Sequence, residues 1–232
     1  MNRKVSNIIR FIMDEFIPPF IRNSYWFMYP FYYVGTRGKN VKEIMNFKSN
    51  VQNFTEEQYI EFYNKLDSVS RRRRTDLTKS TIKFILKSID INSTSLADIG
   101  CGNGFLLKKI KSEHPRLQLT GVDIAKKFED DDISFINANI RQLPFEDKQF
   151  DIVVCTHTIE HILNLDEAIK ELERITKKQL IIVTPCQRYF YYTLDEHVNF
   201  FPKKEMLTGL FSFENFIIKK IDFDWVYIGY NS

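Results

Sequence analysis

The chain has 232 residues, 44% of them hydrophobic and 15% aromatic, which allows one sizeable core with an appendage and argues against a disordered or fibrous protein. Its 33 basic and 30 acidic side chains leave a net charge of +3, too even a balance for bulk attraction to nucleic acid. Three dispersed cysteines (Cys101, Cys155 and Cys186) argue against a disulfide framework and fit a reducing, cytoplasmic compartment. In chain order, residues 8–34 are apolar and aromatic. Arg10, Asp14, Glu15, Pro18, Pro19 and Arg22 interrupt them short of the roughly 20 apolar residues of a membrane span. The compact apolar run and small-residue cleavage site of a secretory signal are also missing.

Charge divides the chain. Residues 1–75 carry 13 basic and 7 acidic side chains, a balance of +6, whereas residues 76–232 carry 20 and 23, a balance of −3. The first 54 residues hold no sustained period of two or 3.6, so irregular and short-helical structure is expected there. Thr55 with Gln58 makes a capping box, and Tyr59, Phe62, Tyr63 and Leu66 follow at helical spacing. Arg71 to Arg74 form a basic run that suits a solvated helix end or a phosphate. A helix is expected over residues 77–89, with Leu77, Ile82, Ile85, Leu86 and Ile89 on one face.

From residue 90 short β-rich runs alternate with helical ones. Strands are expected at 96–99, 117–122, 133–136, 152–155, 180–183, 216–222 and 226–230, and helices at 105–112, 165–177 and 203–210. This alternation predicts an α/β fold, a doubly wound and mostly parallel sheet that binds ligands at the carboxyl ends of its strands. The last two runs leave no room for a helix between them, so that pair is expected to be antiparallel.

The segment Leu96-Ala97-Asp98-Ile99-Gly100-Cys101-Gly102-Asn103-Gly104 follows a strand and opens a helix. Its glycines permit tight turning and close approach of backbone to a ligand, and the helix start offers unpaired N–H groups. Asp123 closes the next strand, where a carboxylate can take both hydroxyls of a ribose. A dinucleotide turn requires G-x-G-x-x-G, but Phe105 stands three residues after Gly102. Asp98 would repel a pyrophosphate and attract an ammonium or sulfonium charge, which favours S-adenosylmethionine over a dinucleotide.

With Gly121-Val122-Asp123, Leu143-Pro144-Phe145, Phe150-Asp151-Ile152-Val153 and Ile159-Glu160-His161-Ile162 in this order, the chain resembles class I S-adenosylmethionine-dependent methyltransferases over residues 77–232. The resemblance implies a Rossmann-like, seven-stranded and mostly parallel sheet with its last strand antiparallel. Together with the charge and irregular pattern of the N-terminal part, it divides the chain into an N-terminal helical or irregular lid (residues 1–75) and a cofactor-binding domain (residues 76–232). It places Asp98 by the methionine amino group, Gly100 and Gly102 against the cofactor and Asp123 on the ribose, with Cys101, Gly104, Ile124 and Thr156 beside them. Asn139, with Ile140 next to it, stands where the family usually has an acid reading the adenine. The family also fits a helix between Asp123 and Phe135. Here the gap is too short for more than a vestige of one, and Asp130 to Asp132 read as a solvated loop in preference to a metal site.

Three of the four histidines lie in two segments. If residues 156–162 form a helical turn, His157 and His161 share a face beside Glu160. His197, with Asp195 and Glu196, follows the next strand and would supply a fourth ligand to a divalent metal. The other reading is an ordinary Glu-His motif without metal, in which His161 or His197 is the general base. The arrangement resembles small-RNA 3′-terminal 2′-O-methyltransferases, which hold a divalent ion with an acid, Glu-His and a later His. Three imidazoles favour Mn, Fe, Co or Zn over Mg.

These readings imply methyl transfer to an oxygen of a small phosphate- or sugar-bearing acceptor, with His157, His161 and His197 as candidate catalytic residues. The look of the whole chain beside bacterial polysaccharide-cluster methyltransferases suggests a nucleotide-linked or phosphoramidate precursor of cell-surface glycan. The alternatives are an RNA 3′-end 2′-O-methyltransferase, disfavoured because no RNA-binding module is present, and a non-catalytic cofactor-binding protein. Tyr189 to Tyr192, Phe200 and Phe201 either stack on the acceptor or pack against the N-terminal aromatic segment. Peripheral membrane contact is the minority reading of that segment.

Overall fold

Leu180, Ile181, Ile182 and Val183 are all fully buried, as in a strand covered on both faces. They lie in the longest strand of a computed structural model that describes residues 3–65, 74–124, 128–193 and 196–231. The chain divides into two units, Met1–Asp76 with Gln187–Phe200, and Leu77–Cys186 with Phe201–Ser232.

The first unit is helical: α1 (Arg3–Glu15), α2 (Pro19–Arg22), α3 (Tyr25–Gly35), α4 (Val41–Met45), α5 (Phe47–Asn50), a 3-10 turn (Val51–Asn53) and α6 (Glu56–Lys65). It is more helical than its sequence suggests. The reason is visible in α3, Tyr-Trp-Phe-Met-Tyr-Pro-Phe-Tyr-Tyr-Val-Gly, which is apolar on every side and so shows no 3.6-residue period. The capping box forms as expected: Thr55 N–H donates to Gln58 Oε1 and Gln58 N–H to Thr55 Oγ1. Leu66 and Arg71 to Arg73 lie outside the described residues.

Met13, Met28, Tyr32, Met45, Phe47 and Phe62 make the core of this unit, joined by Phe190 from the segment 187–200. That segment has no helix or strand among its described residues and is held by side chains instead. Tyr191 N–H donates to Asn23 Oδ1, Lys48 Nζ donates to the Phe190 carbonyl, and Tyr32 Oη donates to the Thr193 carbonyl.

The second unit opens with α7 (Lys79–Ser88), capped by Thr78, which accepts from Thr81 N–H. There follow β1 (Ser95–Ile99), α8 (Phe105–Glu113), β2 (Gln118–Asp123), β3 (Ile133–Asn137), β4 (Phe150–Thr156), α9 (Leu165–Ile175), β5 (Thr176–Pro185), α10 (Lys204–Thr208), β6 (Asn215–Ile221) and β7 (Asp224–Tyr230). The strands form one seven-stranded sheet in the order β3-β2-β1-β4-β5-β7-β6. Only β7 runs against the rest, pairing antiparallel with β5 on one side and β6 on the other. Asp224, the first residue of β7, therefore stands opposite Pro185, the last of β5, at the carboxyl edge of the parallel strands.

Among the boundaries that differ from the sequence reading, two have a visible backbone cause. The helix expected over 165–177 ends at Ile175, because Thr176 turns extended (ψ 121°) and starts β5 without a loop. The turn expected over 156–162 is a 3-10 turn of Ile159–His161 alone, since β4 runs on through Thr156 and His157 is left-handed at φ 50°.

The β2–β3 connection has no helix among its described residues. A cavity of about 390 Å³ lies there, lined by Phe128, Glu129, Asp130, Ile133, Phe135 and Asn137. Asp130 accepts Asp132 N–H and pairs with Lys108 at 3.5 Å, while Asp131 and Asp132 are exposed. The β3–β4 connection is clamped from α9. Arg174 donates to Glu171 and to the carbonyls of Phe145 and Leu143, and Glu171 accepts Leu143 N–H. Arg174→Ala leaves those acceptors short of donors at once. Its expected cost is about 2 kcal/mol, to be read as a lower urea midpoint with an unchanged denaturant slope.

Candidate functional site

The glycine turn is built by backbone bonds across β1 and β2. Gly100 and Cys101 both donate to the Val122 carbonyl, which folds the chain back over the end of β2. Gly100 sits at φ 78°, and a Cβ there would run into the side chain of Thr158. Gly102, at φ 57°, differs: a Cβ there would meet nothing within 4 Å. The turn thus presents bare backbone to open space at Gly102, and packed backbone at Gly100. Gly104, also left-handed, caps α8, and Cys101 is buried under the turn.

Asp98 and Asp123 flank this turn. Asp123 is 8% exposed, and its Oδ2 accepts Gly102 N–H at 2.8 Å, tying the end of β2 to the glycine loop. Asp98 is 1% exposed, and its Oδ1 has no hydrogen-bond partner among the described residues. Burial, with repulsion from Asp123 second, pushes the Asp98 carboxyl up to about 7. A buried acid at such a pKa, left short of a partner beside open backbone, calls for a cation. The ammonium of a bound S-adenosylmethionine has the required charge, so these residues fit that cofactor.

Asn139, half-buried, accepts Arg141 N–H through its side-chain carbonyl. Ile140 beside it is buried, Ile124 follows Asp123 directly, and Thr156 ends β4. The turn, Asp123, Ile124, Asn139, Ile140 and Thr156 all stand at or just beyond the carboxyl ends of β1 to β4.

The histidines do not fall as the spacing suggests. His157 N–H donates to the Val183 carbonyl, and its left-handed backbone turns the ring toward carboxylates: Nδ1 lies 3.3 Å from Glu160 Oε1 and Nε2 3.5 Å from Asp224 Oδ2. No continuous helical turn puts His157 and His161 on a common face. Glu160 is buried, and its Oε2 accepts from Thr184 Oγ1 at 3.2 Å. His197 belongs to the first unit, where its Nδ1 lies 2.7 Å from Gln187 Oε1 and both side chains are buried; Asp195 lies outside the described residues. Cys155, between these groups on β4, is an inert thiol: burial pushes it well up, and Asp98 and Glu160 add to the shift.

Asp224 and Thr184 are absent from the sequence reading. The signal for Asp224 was present in principle. An acid that starts a strand antiparallel to β5 must return to the carboxyl edge, but that requires knowing which strand β7 pairs with. Asp98, Asp123, Glu160 and Asp224 thus place four buried carboxylates at one edge of the sheet, an electrostatic setting for a positively charged ligand.

Residues 97–184 match the model of a methyltransferase domain. The chain is 35% identical over 92 residues to the sterol 4-C-methyltransferase strm-1 of Caenorhabditis elegans, covering 34% of this chain and 27% of that protein. It is 26% identical over 121 residues to a ubiquinone biosynthesis O-methyltransferase of Rickettsia bellii, covering 46% of this chain and 50% of the relative. The chain therefore spans half or less of the length of these two curated relatives. Among solved structures, an S-adenosylmethionine-dependent methyltransferase of Thermotoga maritima, described as a possible histamine N-methyltransferase, shares the fold. Its TM-score is 0.55 at 18% identity, over 82% of this chain and 99% of that one. The matched residues, the strand order and the glycine turn with its two aspartates lead to one assignment: residues 97–184 carry a methyltransferase domain, set in the Rossmann-like, seven-stranded fold of class I S-adenosylmethionine-dependent methyltransferases.

Proposed function

We propose that the chain binds S-adenosylmethionine at the carboxyl edge of β1 and β2 and transfers its methyl group to an oxygen of a small acceptor. The observation that carries this reading is the buried, unpartnered Oδ1 of Asp98 beside the open face of Gly102. When bound, the cofactor supplies a methyl carbon already activated by its sulfonium, so the protein's task is largely to position and to remove a proton. Asp98 receives the ammonium, Gly102 lets the backbone approach, Asp123 takes the ribose hydroxyls and Asn139 faces the adenine. His161 takes the proton of the acceptor hydroxyl.

Oxygen as the target is supported by relatives named O-methyltransferases, the Rickettsia protein above and a malonyl-[acyl-carrier protein] O-methyltransferase of Priestia megaterium. The acceptor we propose is a phosphate- or sugar-bearing precursor of cell-surface polysaccharide, the class suggested by the resemblance of the whole chain. The division into an N-terminal capping part and a cofactor-binding part belongs to the same proposal. A divalent metal at Glu160 and His161, neighbours in the 3-10 turn, is a separate proposal, and no step above is routed through it. Elemental analysis of the purified chain beside His161→Ala tests it, and a stoichiometric metal lost in the variant is the expected result.

Titration calorimetry tests the cofactor. Asp98→Asn keeps the shape but loses the charge, at an expected cost of about 1.5–3 kcal/mol, or roughly ten- to a hundredfold in affinity for S-adenosylmethionine. Ammonium binding needs the carboxylate, so wild-type affinity falls about tenfold per pH unit below about 7, and Asp98→Asn flattens that profile. The stability sign is opposite. The folded pKa of Asp98 is raised, so its contribution is present below an unfolded value of about 3.9 and is lost as pH rises through about 7. Above neutrality the ligand-free Asp98→Asn variant therefore melts higher than wild type while binding worse.

A pair of glycine substitutions separates binding from folding. Gly102→Val strains only a left-handed residue, at about 1–2 kcal/mol, yet fills the space in front of the turn and abolishes cofactor binding. Gly100→Val clashes with Thr158 and lowers stability more. Product identification with a labelled methyl donor then fixes the acceptor. His161→Ala is expected to lower kcat by about a hundredfold or more with cofactor affinity unchanged, and an unaffected kcat would remove His161 from the mechanism.

A further inference from the structure

The first unit carries an apolar face that its own core does not use. On α1, Ile9 and Met13 turn to the core, whereas Ile8, Phe11 and Ile12 follow helical spacing on the outer side and are 56%, 49% and 45% exposed. Phe16, just past the helix, is 69% exposed and meets Phe11 edge-on at 5.9 Å. Phe20 of α2 is 78% exposed, with Pro18 and Pro19 exposed before it. On α3, Met28 and Tyr32 are buried, while Trp26, Pro30, Tyr33 and Val34 recur on another side and are exposed, Trp26 by 81%. Exposure of so many large apolar side chains within one helical stretch is unusual for surface that stays in water.

The charge within the same stretch is one-sided. Residues 3–48 hold eight basic side chains (Arg3, Lys4, Arg10, Arg22, Arg37, Lys39, Lys42 and Lys48) against three acids, Asp14, Glu15 and Glu43. Two of the three acids are countered within the unit. Asp14 pairs with the buried Arg22 at 3.3 Å, and Glu15 with Arg188 at 3.3 Å. The apolar face thus lies in a stretch whose remaining charge is positive, with Arg37 and Lys39 exposed just beyond the end of α3. Among the described residues no helix is long and apolar enough to cross a membrane. Exposed Trp, Tyr and Phe beside lysine and arginine match the interface of an anionic bilayer, where rings sit at headgroup depth and cations meet phosphate.

We propose that the outer face of α1, α2 and α3 docks the protein on the surface of an anionic lipid bilayer. The proposal is independent of the cofactor and of the reaction. The test uses the full chain with phosphatidylcholine vesicles, with and without phosphatidylglycerol, read by co-sedimentation and by quenching of tryptophan fluorescence with brominated lipid. Partition is expected to rise at least about tenfold with phosphatidylglycerol and to fall as salt is raised. Trp26 should be quenched and blue-shifted, a signal retained when Trp225→Phe leaves it as the single tryptophan. Phe16→Glu with Phe20→Glu is expected to reduce partition about tenfold or more. Ile91→Glu, at an 87% exposed site in the other unit, should leave it unchanged. Circular dichroism and the melting transition confirm that each variant is folded. Absence of partition to either vesicle overturns the proposal, as does partition that ignores Phe16 and Phe20. A concentration-dependent dimer abolished by the same two substitutions also overturns it, by assigning the face to a second copy of the chain.

Discussion

Asp98 is fixed at the centre of the sheet by its place in β1, between β2 and β4, and the same burial that fixes it strips away the water that would stabilise its charge. An ionised carboxylate removed from water costs several kcal/mol unless something replaces the solvent. Among the described residues nothing donates to Oδ1, and Asp123 is close enough to oppose ionisation further. The surrounding architecture follows from this tension. The open backbone at Gly102 and the buried carboxylates at the same edge form a setting that a positively charged ligand relaxes and an anionic one worsens.

The edge itself is a product of topology. Five successive parallel strands bring their carboxyl ends together, and the reversed β7 returns the start of its own strand to that side, which adds Asp224 to the group. Asp224 and Glu160 hold the ring of His157 from two directions, and Thr184 supports Glu160 from β5. In this arrangement the His157 ring bridges two buried acids.

What was readable in the chain, and what was not, follows from the kind of contact involved. The strands at 152–155 and 180–183 were legible because burial on both faces leaves an unbroken apolar run. The placement of Asp98, the glycines and Asp123 around one turn was legible because a turn at the ends of neighbouring strands is set by local sequence. Helix α3 escaped because a segment apolar on every side has no period. The contacts of His157 escaped because a left-handed residue after a strand cannot be told from a helical one by spacing. Within residues 187–200, packing of Tyr189 to Tyr192 against the N-terminal aromatic segment was one of two readings, and Phe190 and Tyr192 join that core; the polar ties escaped because they link single side chains some 140 or more positions apart, such as Lys48 with the Phe190 carbonyl.

That last segment has a consequence for how the protein is put together. Three sequence junctions, at 76/77, 186/187 and 200/201, connect the two units, so neither is a continuous stretch of chain. Cutting away the N-terminal helices would strand Phe190 and Tyr192 in the remaining piece, without the core they belong to. The aromatic helices are therefore not a detachable module: the gene cannot lose or exchange them without also rewriting the loop that follows β5, and the two stretches are bound to change together.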